Sequence, residues 1–135
     1  MRYIFGIVLS LFLTNVAYST PAKVSGFIDG DTFFATFLDG ENKDTKVMVR
    51  FANVDTPEKD GSCESETRLG TAAYNRLKTV MPKDTVVELK NVTKDKFFGR
   101  ISANVILPDG RDVGEILIKE NVGRAFKGEH KSWCK

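Results

Sequence analysis

Polar and apolar residues alternate along three early stretches of the chain. Lys23 to Ile28 and Thr32 to Leu38 are rich in Val, Ile, Phe and Thr, the residues that suit a pleated, half-buried surface. The "DGD" at 29–31 between them is a tight-turn signal. A second turn, "DGENKD" at 39–44, leads into Thr45 to Val54. That run reads as a third strand, with Val47, Val49 and Phe51 on one face and Met48, Arg50 and Ala52 on the other. From Glu64 the period lengthens. Leu69, Ala72, Ala73, Leu77 and Val80 recur at helical spacing, and Pro82 stops the run. Glu64 and Glu66 fall in its first turn, where the helix dipole favours negative charge.

Thr85 to Val92 and Ile101 to Leu107 return to strand character, the latter alternating Ile101, Ala103, Val105 and Leu107. Asp112 and Glu115 have capping-box spacing and open a short helix over Val113, Ile116 and Leu117. Asn121 ends it, because Asn tolerates left-handed backbone. The order β-β-β-α-β-β-α predicts a mainly β chain with two or three helices, of α+β class. Two architectures fit: a five-stranded OB-fold barrel, and an open sheet with helices on one face.

The first residues read differently. "MRYIFGIVLSLFLTNVAYS" holds one charge, Arg2, then an apolar run from Ile4 to Leu13, and closes on small residues at Ala17 and Ser19. The run is too short to span a bilayer, so residues 1–19 read as a secretory signal peptide cleaved near Ser19, and 20–135 as a single domain. An uncleaved membrane anchor is the alternative. The chain is then expected to be secreted or periplasmic, with no stable membrane association.

Composition narrows the picture further. The chain is 41% hydrophobic and 28% charged, as a soluble globular domain is. Its 20 basic residues lose Arg2 with the signal and then nearly balance the 18 acidic ones, so any polyanion site is local. Cys63 and Cys134 both fall in the exported part, where a pair of cysteines forms a disulfide. Closing so long a loop contributes roughly 4 kcal/mol.

Some polar residues do not fit strand faces. Asp29 and Asp31 sit in the first turn, Arg50 in mid-strand, and Asp55, Thr56 and Glu58 just after it. Carboxylates from two segments, Asp31 and Asp55, suit a hard cation, with a backbone carbonyl such as that of Thr56 as a further oxygen. The single histidine, His130, and the absence of a His/Cys cluster argue against zinc. His130 lies in a polar tail and reads as surface. Two arginines, Arg50 and Arg100, match the oxygens of a phosphate, and Glu58 can take a proton from water. Cation, arginine pair and base are the parts that phosphodiester hydrolysis requires.

"IDGDT" (28–32), "VRFANVDTPE" (49–58) and "KDKFFGR" (94–100), in this order, resemble the staphylococcal nuclease (thermonuclease) family, over roughly residues 24–126. The resemblance is to an exported bacterial member. It implies an OB-fold and a calcium-dependent endonuclease, with one Ca²⁺, acting on DNA and RNA with little sequence preference; the chain is expected to be a monomer. It implies Asp31, Asp55 and the Thr56 carbonyl as calcium ligands, with Asp29 outside that set. Glu58 is then the residue that holds or activates water, and Arg50 and Arg100 are the phosphate clamp. The "KDKFFGR" loop is one residue longer than the family's usual form, with Phe98 in place of Tyr. Phe97, Phe98 and Lys96 are the expected nucleic-acid contacts, since stacking needs only a π-face. Set against the family's form, the chain is expected to do without the long C-terminal helix, with a Cys63–Cys134 bond as the anchor in its place, packing Trp133 near the helix start. An inactive OB-fold nucleic-acid-binding module is the alternative function.

One geometric condition follows from the spacing. Arg50 and Asp55 are five residues apart, which strict strand alternation places on opposite faces. They share a site only where the strand ends or bulges near Asn53 and Val54. Arg50→Ala and Glu58→Ala are each expected to slow hydrolysis by orders of magnitude and leave the fold intact.

Overall fold

Gly30 and Asp31 form a two-residue turn between the first two strands. β1 (Ser19–Asp29) and β2 (Thr32–Phe37) pair antiparallel on either side of it. The computed structural model describes residues 19–96 and 99–134. β2 continues antiparallel into β3 (Lys46–Phe51). After helix α1 (Glu64–Val80), β5 (Val86–Lys94) and β6 (Arg100–Ile106) form a second antiparallel pair. β6 lies parallel to β3, and β5 pairs with β1, so the five strands close in the order β1-β2-β3-β6-β5. Closure of these five strands excludes the open-sheet alternative.

The third strand departs from its expected length. It ends at Phe51, whose N–H donates to the Asp31 carbonyl at 2.9 Å, and the backbone bends at Ala52 and Asn53. Val54–Asp55 then forms a separate short strand, β4, pairing antiparallel with β7 (Arg124–Ala125). Between β6 and β7 lies helix α2 (Val113–Lys119). The Asp112 side chain caps it by accepting the Glu115 N–H at 3.1 Å, and Asn121 adopts the expected left-handed φ of 60°.

The core is a single cluster. Phe33, Val49, Phe51, Leu89 and Val105 from the barrel meet Leu77 and Met81 from α1 and its end, and Val113 and Leu117 from α2. Phe33 is fully buried, whereas Phe34 on the opposite face of β2 lies beneath the Lys46 ammonium, 4.7 Å from its ring centre. The α1 face also differs from expectation. Its buried residues are Glu66, Gly70, Ala73 and Leu77, while Leu69 is 46% exposed and Ala72 is exposed. The reason is steric: a Cβ on Gly70 would stand 2.1 Å from the Glu58 carbonyl oxygen, so the helix is pressed against that loop's backbone. No helix among the described residues is long and apolar enough to cross a membrane.

Candidate active site

The break after β3 creates the site. Thr32 pairs with Arg50 across β2 and β3, so Asp31 in the turn stands beside Arg50. The Arg50 guanidinium fills the bend: Nη1 donates to the carbonyls of Phe51 at 2.8 Å and Val54 at 2.7 Å. Nη2 donates to Asp55 Oδ1 at 3.2 Å and lies 3.5 Å from Asp31 Oδ2. The spacing condition is thereby met, because the strand ends and β4 turns Asp55 back toward Arg50. Asp31 is fixed from both sides: the Thr32 hydroxyl donates to Oδ1 at 2.9 Å and the Thr56 N–H donates to Oδ2 at 3.0 Å. Asp31, Arg50, Asp55 and Thr56 are all buried.

Glu58 follows Pro57 and is exposed at the edge of this cluster. Asp29 accepts the Lys59 N–H at 3.1 Å and so ties the Glu58 loop to the first turn. Two glycines allow this approach. Gly70 admits the Glu58–Lys59 backbone, and a Cβ on Gly30 would come within 2.8 Å of Thr56 Oγ1 and 2.7 Å of Ala73 Cβ. Partial burial pushes the Glu58 carboxyl above its ordinary range, and the charges of Asp29, Glu66, Asp31 and Asp55 add to the shift. Asp29 is raised too, first by burial, against the lowering effect of its Lys59 hydrogen bond.

Arg100 begins β6 opposite Met48, and its Nη2 donates to Asp95 Oδ1 at 2.9 Å. Asp31, Arg50, Asp55, Glu58, Lys96 and Arg100 all line one cleft of about 350 Å³. The expected metal, clamp and base residues thus come together. Phe97 and Phe98 lie outside the described residues.

The donor set fits a hard cation. Two buried carboxylates face the same guanidinium nitrogen, and every group offered is an oxygen. No group of three or more His, Cys, Asp or Glu side chains arranged for a metal occurs among the described residues, so water and the Thr56 carbonyl would have to complete the shell.

Cys63 and Cys134 are bonded, joining the N-cap of α1 to the C-terminal tail. Trp133 and Glu66 line one small hollow there, as expected, and Trp133 also stacks on Arg124 at 3.8 Å. Two residues lie at the site that the sequence does not place there. Arg124 faces Asp55 across the β4–β7 ladder, 3.8 Å from Oδ2. His130 is exposed as expected, yet its Nδ1 lies 3.4 Å from Asp55 Oδ1 and its ring packs on Phe126. No local pattern marks either one; only the returning strand and the disulfide bring them in.

A family model described as staphylococcal nuclease homologue matches residues 48–133. The match takes in Arg50, Asp55, Thr56, Glu58 and Arg100, while Asp31 precedes it. No curated protein matches the chain.

Proposed function

Because the chain belongs to the family of staphylococcal nuclease homologues, we propose that it is a calcium-dependent endonuclease that hydrolyses phosphodiester bonds in both DNA and RNA. The observation that supports this most is Arg50, set 3.2 Å from Asp55 and 3.5 Å from Asp31 in a cleft that Glu58 and Arg100 also line. Asp31, Asp55 and the Thr56 carbonyl would hold the ion. When bound, Ca²⁺ supplies charge stabilisation to a phosphoryl oxygen.

The protein groups do the rest. Glu58 orients the attacking water and takes its proton, and its raised pKa brings it closer to the working pH of a general base. Arg50 and Arg100 offer forked donors to the charge that develops on the phosphate. All these contacts address phosphate rather than base edges, which favours little sequence preference. Phe97, Phe98 and Lys96 serve the bases and backbone beside the scissile bond in this reading, which for the two phenylalanines rests on sequence alone.

The disulfide supports an oxidising compartment, secreted or periplasmic. Signal cleavage after Ser19 removes the first residue of β1 and its pairing with Lys90, and leaves Thr20 to Asp29 in the barrel. We take the mature domain, from residue 20, to act as a monomer.

The mature chain should degrade plasmid DNA and RNA in Ca²⁺ and stop when EGTA is added. Activity that survives EGTA, or none in Ca²⁺, overturns the reading. Tight, salt-sensitive binding of single strands without products would instead favour a binding module.

A second test addresses the loop. Gly70→Ala places a methyl group against the Glu58 carbonyl and so displaces the proposed base. Overpacking of this kind costs about 1–3 kcal/mol in stability. The variant should fold but lose at least about tenfold in kcat, since small misplacements of catalytic groups are costly. Wild-type kcat in a destabilised Gly70→Ala protein would separate the loop position from catalysis.

A further inference from the structure

We propose that the C-terminal tail is a disulfide-anchored strap that carries His130 into the cleft as a contact for the phosphate backbone of the nucleic acid. The proposal rests on the nuclease reading and adds to it a binding residue and the device that holds it.

After β7 the chain forms no helix or strand as far as Cys134. A segment without ladder hydrogen bonds frays unless it is tied down. Here it is tied at several points. The Phe126 N–H donates to the Asn53 carbonyl at 3.1 Å. The Lys131 carbonyl accepts a hydrogen bond from Arg124, and Trp133 stacks on the same guanidinium at 3.8 Å. Cys134 is bonded to Cys63, 71 residues earlier. His130 lies between these anchors.

Its position explains why they matter. His130 lines the cleft that holds Arg50, Glu58 and Arg100. It also lines an adjoining hollow of about 340 Å³, with Lys94, Lys96 and Phe126. The two hollows share His130 with Arg50, Lys96 and Arg100, so a chain that occupies both lies beside all four. The side chain is 65% exposed, so its removal disturbs no core. Nδ1 is the ring nitrogen 3.4 Å from Asp55 Oδ1, and Nε2 lies on the other side of the ring. In the tautomer that carries its proton on Nε2, that nitrogen donates to a phosphate oxygen. Asp29, Asp31, Asp55 and Glu58 make one side of the cleft acidic, while Arg50, Lys96 and Arg100 line both hollows with His130 and suit the phosphates of a nucleic-acid chain.

The test is binding of a fluorescently labelled single-stranded oligodeoxynucleotide, read by anisotropy in Ca²⁺. It is made in a Glu58→Gln background, in which the oligonucleotide survives. His130→Ala should weaken binding about tenfold, the low end for a hydrogen bond to a charged group. It should leave thermal stability unchanged, and His130→Gln, which keeps a donor, should recover part of the loss. The double variant Cys63→Ser/Cys134→Ser should show the same loss together with a lower melting temperature. Adding His130→Ala to it should cost little more, because the untethered tail has already withdrawn the imidazole. In the wild-type catalytic background the loss should appear in KM and not in kcat.

Wild-type affinity in His130→Ala, fully additive losses, or a parent that does not bind the oligonucleotide each overturn the proposal. Calcium-dependent digestion by the unaltered chain judges the nuclease reading separately. Binding losses without digestion keep the strap and remove the nuclease; digestion without binding losses does the reverse.

Discussion

Glu58→Gln is expected to slow phosphodiester hydrolysis by about 10²–10⁴, the usual contribution of a general base. At neutral pH it should also make the protein slightly more stable. The two effects have one cause. Glu58 sits among Asp29, Glu66, Asp31 and Asp55, and burial together with their charges raises its pKa above the ordinary value. A carboxyl raised in the folded state contributes stability that is fully present below its unfolded pKa. That contribution is lost as pH rises through the folded pKa. At neutral pH the ionised Glu58 therefore opposes folding, and a neutral Gln relieves the repulsion. The gain is less than about 1 kcal/mol, because Glu58 is exposed and solvent screens its neighbours. It should shrink as pH falls below the ordinary glutamate pKa, where the wild-type carboxyl becomes protonated in both states. Melting temperatures at pH 7 and pH 4, with the pH profile of kcat, check both parts. The wild-type acid limb should lie above the ordinary carboxylate range and be absent in the variant. A variant that is less stable at pH 7, or as active as wild type, would falsify the assignment.

What was legible in the sequence, and what was not, divides along the range of the interactions. The five barrel strands follow from alternation and Asp-Gly turns, which are local signals. So does the helix from Glu64 to Val80, but not the face it buries. A hydrophobic pattern weights Leu69 above Gly70. The helix packs instead on the backbone of the Glu58 loop, and only a residue without a side chain permits that approach. Asp31, Arg50, Asp55, Glu58 and Arg100 stand close to short motifs and are legible as a set. Arg124 and His130 are not. Arg124 reaches Asp55 through a two-residue ladder between β4 and β7, and His130 through a tail held by a bond across 71 residues. No periodicity encodes contacts of that kind. The same distinction explains why Thr45 to Val54 read as one strand. The bend at Ala52 and Asn53 is imposed by bonds to Ala103, Asp112 and Phe126, all distant in the chain.

Arg50→Ala is expected to do more than slow catalysis, contrary to the sequence-based expectation of an intact fold. The Arg50 side chain is 9% exposed and is the donor for two backbone carbonyls at the bend. It also lies between two buried carboxylates, within 3.5 Å of both. Truncation leaves Asp31 and Asp55 without that partner. Breaking a buried ion pair on one side costs about 3–5 kcal/mol. Against a typical total of about 5–15 kcal/mol, this is a large share of the stability. The loss should be greatest in EGTA. If Asp31 and Asp55 are the calcium ligands, added Ca²⁺ supplies the positive charge they have lost, so the variant's melting temperature should rise with Ca²⁺ more than that of the wild type. Activity should nevertheless stay several orders of magnitude down, because an ion between the carboxylates does not replace a forked donor on the phosphate. Arg50→Lys keeps the charge but not the fork, and should restore stability in EGTA better than it restores kcat. Melting curves of the three proteins across a Ca²⁺ titration, beside their rates on one DNA substrate, separate the two roles. An Arg50→Ala protein as stable as wild type in EGTA would mean that the guanidinium does not hold the acidic pair. Equal Ca²⁺ responses in all three would place the ion elsewhere.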